Sequence, residues 1–295
     1  MSIKTAVISC SGKGTRFLPA KKTVSKELLP VYNKPQIQYL VEECLNAGIE
    51  HMIIALRPGY EAIMKHFARD IELEVYLRDA SKFYLLNDIE IGKDNLNMTF
   101  VYQDLNLPYG NASPLYSVKH LLGDEPFIYM YGDDLVLPVT TGVKDMVDAF
   151  EENPDADAII GLQDMSAEEI AGKYAVCKYK EGTNYIAELF EKPTVEQMEE
   201  HKYVCAASFG RYLFTNSFLK FLDPTDLGKG NEFWTADAIN KLAQSENSKV
   251  MGASIKGIWY TTGDPKNMLS ATLAVAKDNG VNKEYVEGIL NGLYD

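Results

Sequence analysis

The chain has 295 residues, 46% hydrophobic and 24% charged, which is enough apolar content to bury a sizeable core and too much for a disordered segment. Its formal net charge of -13 excludes the extended basic face that nucleic acids require and points to a small ligand. No apolar run approaches the roughly 20 residues of a membrane helix. Met1-Ser2-Ile3-Lys4 leads straight into a strand without a signal peptide's apolar stretch, so a cytoplasmic protein with no membrane partner is expected.

Thr5 to Ser9 reads as a strand. Pro35 to Ala47 reads as a helix: Pro35 suits its first turn, Ile37, Leu40, Val41 and Cys44 share one face, and Gly48 stops it. His51 to Leu56 is the next strand, and Gly59 to Ala68 and Glu72 to Gly92 are expected helical. Met98 to Tyr102 and Phe127 to Tyr131 have the short apolar character of buried strands, with a helix from Pro114 to Leu122 between them. This alternation predicts an α/β fold: a Rossmann-like, mixed but mostly parallel sheet flanked by helices. After about residue 140 the pattern becomes strand-rich (Ala156 to Leu162, Ala175 to Tyr179, Tyr185 to Phe190, Tyr203 to Phe214), with short helices between. Pro265 to Asn279 and Lys283 to Leu293 read as two terminal helices. The expected organisation is one α/β domain over 1–264, its halves meeting at about residue 140, and a C-terminal helical segment over 265–295. Cys10, Cys44, Cys177 and Cys205 form no Cys-x-x-Cys pair, which fits reduced thiols better than a zinc site or a disulfide framework.

The first strand empties into Ser11-Gly12-Lys13-Gly14-Thr15-Arg16, followed by Lys21, Lys22 and Lys26-Glu27-Leu28-Leu29-Pro30. Five cationic side chains and no acidic one lie between Lys13 and Lys26, against the global charge, as a polyanion-holding loop requires. Spacing excludes two familiar loops. A dinucleotide fingerprint needs glycine where Phe17 stands, and a Walker loop needs Ser or Thr where Gly14 stands. Further on, Tyr131-Gly132-Asp133-Asp134 closes an apolar strand, so its carboxylates emerge where open α/β sheets bind ligands. Magnesium takes one or two carboxylates plus substrate phosphates, and Asp133 suits it. Capping of the following turn is the competing role, and it weighs most on Asp134.

The Gly-x-Gly-Thr-Arg loop with its downstream Lys before Glu-Leu-Leu-Pro resembles the signature of sugar-1-phosphate nucleotidylyltransferases, most closely the bacterial UTP–glucose-1-phosphate uridylyltransferase branch. The resemblance implies a transferase that joins UTP and glucose 1-phosphate into UDP-glucose with Mg²⁺, releasing pyrophosphate. It assigns the first half to the nucleotide and the second to the sugar. Ser11, Gly12, Gly14 and Thr15 would approach the nucleotide, Arg16 the departing pyrophosphate and Lys26 the α-phosphate. Gln103 would read the uracil edge beside Gly110, and Gly132 would keep the approach clear next to metal-binding Asp133. Glu191-Lys192-Pro193 matches a segment whose Lys holds the sugar phosphate; Glu191, Ala175 and Glu232 complete the sugar side. Gly210-Arg211-Tyr212 and Asp237-Ala238-Ile239 follow the same order. The terminal helices imply a homo-oligomer, with intrachain packing an equal alternative.

The departures fall in the pocket. Cys10-Ser11 replaces a pair of alanines, Gly110-Asn111-Ala112-Ser113 replaces Gly-Leu-Gly-His, and Tyr174-Ala175-Val176 replaces Tyr-Gly-Val, each adding atoms beside the expected ligand. The family's second metal-binding Asp falls on Thr261; Asp264 is the alternative carboxylate, in competition with a capping role before Pro265. The other reading is therefore a non-catalytic relative that binds nucleotide or nucleotide-sugar as a regulatory or partner protein.

Overall fold

A computed structural model describes residues 3–91 and 96–294. Thr5–Cys10 and His51–Leu56 are nearly continuous apolar runs, as parallel strands covered on both faces must be. They pair in parallel, Thr5 opposite His51 and Cys10 opposite Leu56. Phe127–Tyr131 flanks Thr5–Cys10 on the other side, and Asn97–Tyr102 lies outside His51–Leu56, both parallel. Ala206–Phe214 then pairs antiparallel with Phe127–Tyr131 and opens the second half. It carries Ala158–Asp164 with parallel Val250–Ser254 beyond it, and Ala175–Tyr179 with antiparallel Ile186–Glu191 beyond that. Among the described residues these strands form one nine-stranded mixed sheet, parallel throughout its first half. One apolar cluster packs Ala6, Ile8 and Cys10 under the helices Gln36–Asn46 and Val143–Glu152. A second packs Val7, Ile53 and Ala55 under Ser113–Val118 and Thr235–Gln244.

Several expectations need correction. Glu72 to Gly92 is not one helix: Ile71–Asp79 ends before Ser81, whose positive φ of 59° leaves the helical basin, and a 3₁₀ turn at Phe83–Leu85 precedes Leu86–Ile89. Gly92 lies outside the described residues. Pro58 and Gly59 form a turn closed by the Tyr60 amide on the Arg57 carbonyl at 3.1 Å, so the next helix spans only Ala62–Phe67. Asn97–Tyr102 is a half-exposed edge strand rather than a buried one, because no strand pairs beyond it among the described residues. The second half holds more helix than expected, since Val143–Glu152 and Thr235–Gln244 each run ten residues. Asp134–Leu137 and Ile258–Thr261 form an unforeseen antiparallel pair, with Thr261 opposite Asp134.

Arg211 and Glu43 are fully buried and joined by two bonds, Nε to Oε1 at 2.9 Å and Nη2 to Oε2 at 2.7 Å. Arg211 also donates to the carbonyls of Asp134 (2.7 Å) and Gly210 (2.8 Å), and Glu43 accepts from the Val143 amide at 2.9 Å. The segment Gly210-Arg211-Tyr212 is therefore structural. Gly142 precedes this amide with φ 69°, and a Cβ there would collide with the Glu43 carboxylate.

Asp264 caps the helix Pro265–Asp278, accepting from the Asn267 amide at 3.0 Å and the Asn267 side chain at 2.6 Å. Ala271 and Val275 seat this helix on Val31, Tyr39 and Leu135. The last helix, Lys283–Tyr294, exposes Tyr285, Ile289, Leu290 and Leu293. Among the described residues no helix is long and apolar enough to cross a membrane.

Two outcomes follow for urea unfolding. Arg211→Met strands a buried carboxylate and is expected to cost about 3–5 kcal/mol, whereas adding Glu43→Leu regains most of the loss; strictly additive losses would contradict a coupled pair. Asp264→Ala is expected to cost about 1 kcal/mol and Asp264→Asn much less; equal losses would contradict the cap.

Candidate active site

The parallel strands leave their carboxyl ends along one edge, and a cleft of about 330 Å³ opens there. Its first wall is the loop after Thr5–Cys10. Gly14 turns this loop with φ 59°, a conformation that L side chains rarely adopt. The Tyr60 hydroxyl fastens the loop by donating to the Gly12 carbonyl at 2.9 Å. Lys21 lies 4.4 Å from the Tyr60 ring centroid and Lys13 lies 5.0 Å from that of Tyr109.

Ser11, Gly12, Gly14, Thr15, Arg16, Lys26, Gln103, Gly110, Asp133 and Glu232 all line this cleft. Gly132 lies just behind it: a Cβ there would stand 2.5 Å from the Ser9 carbonyl, and its own carbonyl accepts from Gln36 at 2.6 Å. Gly110 is required because a Cβ would collide with the Phe233 backbone, which hydrogen-bonds on both sides of it, to Tyr109 and Ala112. Glu191, Lys192 and Ala175 are not among the lining residues. Ala175 and Glu191 stand opposite each other in the antiparallel pair, and Lys192, just past its end, donates its amide to the Tyr174 carbonyl at 3.1 Å. Tyr131 of the cleft packs its ring 5.5 Å from Tyr212 of the second half.

Lys26 is 7% exposed, and its ammonium meets Asp133 Oδ2 at 2.5 Å. Burial opposes its charge, but Asp133 and Glu27 outweigh burial and raise its pKa above the ordinary lysine value. Burial likewise works against the Asp133 carboxylate, yet Lys26 and Arg16 hold it below the usual range. Glu27 is fully buried, 3.9 Å from Lys26, with neither oxygen hydrogen-bonded among the described residues; burial pushes its carboxyl up to about 7. Asp134 has a different task. Its oxygens accept from Trp259 Nε1 (2.7 Å) and the Gly210 amide (2.9 Å), and burial and Asp133 push it up to about 6.

Thr261 does reach the site. A Cβ on Gly263 would stand 3.1 Å from Asp133 Oδ2, 3.4 Å from Arg16 Nη2 and 3.6 Å from Thr261 Oγ1, so these groups surround one point. Asp264 sits 3.9 Å from Arg16 with both oxygens committed to the cap. The described residues hold no group of three or more His, Cys, Asp or Glu able to cage a metal. One carboxylate and a neighbouring hydroxyl fit a hard cation whose coordination substrate phosphates complete.

Two departures, Ser11 and Asn111, line the cleft but commit side-chain oxygens to backbone partners. Ser11 Oγ donates to the Ala55 carbonyl at 3.0 Å, and Asn111 Oδ1 accepts from the Thr235 amide at 2.8 Å, where helix Thr235–Gln244 begins. Cys10 is buried, and burial with the nearby Glu27 raises its thiol pKa, which removes it as a nucleophile. Arg57, Tyr109, Tyr131 and Trp234 line the cleft and were not anticipated. Arg57 carried the same signal as Asp133, a charged residue just past a buried strand; the aromatic residues carried none.

The nucleotidyl transferase family model matches residues 5–278. The chain is 34% identical over 291 residues to UTP–glucose-1-phosphate uridylyltransferase 2 of Staphylococcus saprophyticus, covering 97% of each. A UDP-glucose pyrophosphorylase complexed with UDP-glucose superposes with TM-score 0.78 at 28% identity, over 94% of this chain and 99% of that one. A UTP-bound UGPase from Acinetobacter baumannii superposes with TM-score 0.83 at 26% identity, over 99% of both. Members of this family generally use a divalent metal. The mixed sheet, the cation-lined cleft and these full-length similarities make the chain a member of the nucleotidyl transferase family.

Proposed function

We propose that this protein transfers the uridylyl group of UTP to glucose 1-phosphate, making UDP-glucose and pyrophosphate. The observation that carries this reading is the Lys26–Asp133 pair at the floor of a cation-lined cleft, in a chain similar along its length to uridylyltransferases. An oxygen of the sugar phosphate attacks the α-phosphorus in line, the bond to the β-phosphate breaks, and pyrophosphate leaves with its electrons. Both reactants are anions, so the chain's contribution is positioning and charge. Lys26, already charged, exchanges Asp133 for the α-phosphate. Arg16, 68% exposed at the mouth, meets the departing pyrophosphate. Gln103 and Gly110 take the base. Glu191, Lys192, Ala175 and Glu232 take the sugar phosphate, with Tyr131 and Tyr212 as the wall between the two halves. Asp133 would hold Mg²⁺, with the Thr261 hydroxyl nearby, and the ion when bound offsets triphosphate charge. The exposed face of Tyr285, Ile289, Leu290 and Leu293 supports pairing of chain copies through the last helix.

Thr261, where a second carboxylate was expected, favours the alternative of a nucleotide-binding relative without turnover. Pyrophosphate release with Mg²⁺ separates the two, using five nucleoside triphosphates against glucose, galactose and N-acetylglucosamine 1-phosphates. UTP with glucose 1-phosphate is expected to give the highest kcat/KM, and Asp133→Ala to lower kcat by about 100-fold or more. Full turnover in that variant would refute the role of Asp133. Silence of the wild type across all pairs, with UTP still bound, would favour the binding protein.

A further inference from the structure

Arg57 lines the cleft without a task in the reading above. It stands at the carboxyl end of His51–Leu56, where open parallel sheets hold ligands. Its amide donates to the Cys10 carbonyl at 3.3 Å, which places it beside the start of the phosphate loop. One strand further out, the Gln103 amide donates to the Leu56 carbonyl at 2.7 Å. Along the sheet edge the order is therefore Gln103, Arg57, the loop from Ser11, and Asp133.

The other cations of the cleft already have neighbours. Lys26 is paired with Asp133, Arg16 faces Asp264 at 3.9 Å, and Lys13 lies over the Tyr109 ring. Among the described residues no ion pair or side-chain hydrogen bond engages the Arg57 guanidinium, although the residue is half-buried and the chain is rich in carboxylates. An unpaired guanidinium on a cleft-lining residue is available to an anion, and its planar fork matches two phosphate oxygens at once.

We propose that Arg57 binds the β- and γ-phosphates of the incoming nucleoside triphosphate, the part that leaves as pyrophosphate. The proposal rests on the uridylyltransferase reading for the identity of the nucleotide, but not for the chemistry of the contact. Arg57 holds this tail before and during transfer, so its loss acts on binding more than on the chemical step.

Calorimetric titration of the wild type, Arg57→Gln and Arg57→Lys with UTP, UMP and inorganic pyrophosphate tests it, with unfolding midpoints confirming that each variant folds. Arg57→Gln is expected to weaken UTP and pyrophosphate about 10- to 100-fold and to leave UMP little changed. Arg57→Lys, which keeps charge without the fork, should recover part of the loss, and KM for UTP should rise more than kcat falls. Unaltered UTP and pyrophosphate binding in Arg57→Gln would overturn the proposal, as would an equal loss for UMP, which would put Arg57 on the base or ribose. A wild type that binds pyrophosphate but not UTP would sink the uridylyltransferase reading instead, while the pyrophosphate comparison would still decide the role of Arg57.

Discussion

The position of the Asp133 carboxylate in the cleft depends on a buried ion pair that lies outside it. Arg211, on the strand where the parallel half meets the antiparallel half, grips Glu43 with two bonds and reaches the carbonyl of Asp134 with a third. Asp134 in turn takes the Gly210 amide and the Trp259 indole. These contacts immobilise the turn after Phe127–Tyr131 on one side, and Gln36 holds the Gly132 carbonyl on the other. A buried pair recovers little of its desolvation cost as net stability. What it contributes here is geometry: Asp133 is presented to the cleft because its neighbour is tied down.

The same economy of charge governs the cleft. An acidic chain would repel a triphosphate from most of its surface, yet the cationic loop sits where three parallel strands end together. Lys26 is kept protonated by Asp133 and Glu27, and Asp133 is kept ionised by Lys26 and Arg16. Each side of the pair therefore stores the charge that the bound reactants need, and little reorganisation remains when they arrive.

How much of this could be seen in the chain alone depended on distance along it. The glycine-rich loop and its lysines are contiguous, and ten of the anticipated residues meet in one cleft. Phe127–Tyr131 and Ala175–Tyr179 were bounded correctly because an apolar run announces a buried strand. Arg211 and Glu43, 168 positions apart, carry no local sign of each other, and neither do Asp134 and Trp259. Ser81 broke an expected helix through a backbone angle that composition does not encode. Ser11 and Asn111 line the cleft, but Ser11 Oγ and Asn111 Oδ1 are each committed to a backbone partner that tertiary packing alone brings near. Lys192, reached through a motif, is not among the lining residues of the cleft; it follows the strand whose register places Ala175 opposite Glu191.

The most direct test follows phosphorus itself: the protein is given glucose 1-phosphate, Mg²⁺ and UTP labelled at the α-phosphate in one reaction and at the γ-phosphate in another, and the products are separated. In-line transfer at Lys26 and Asp133 predicts that the α label passes entirely into UDP-glucose and the γ label entirely into pyrophosphate. Appearance of the γ label as orthophosphate, or an α label that stays with UTP, would contradict it.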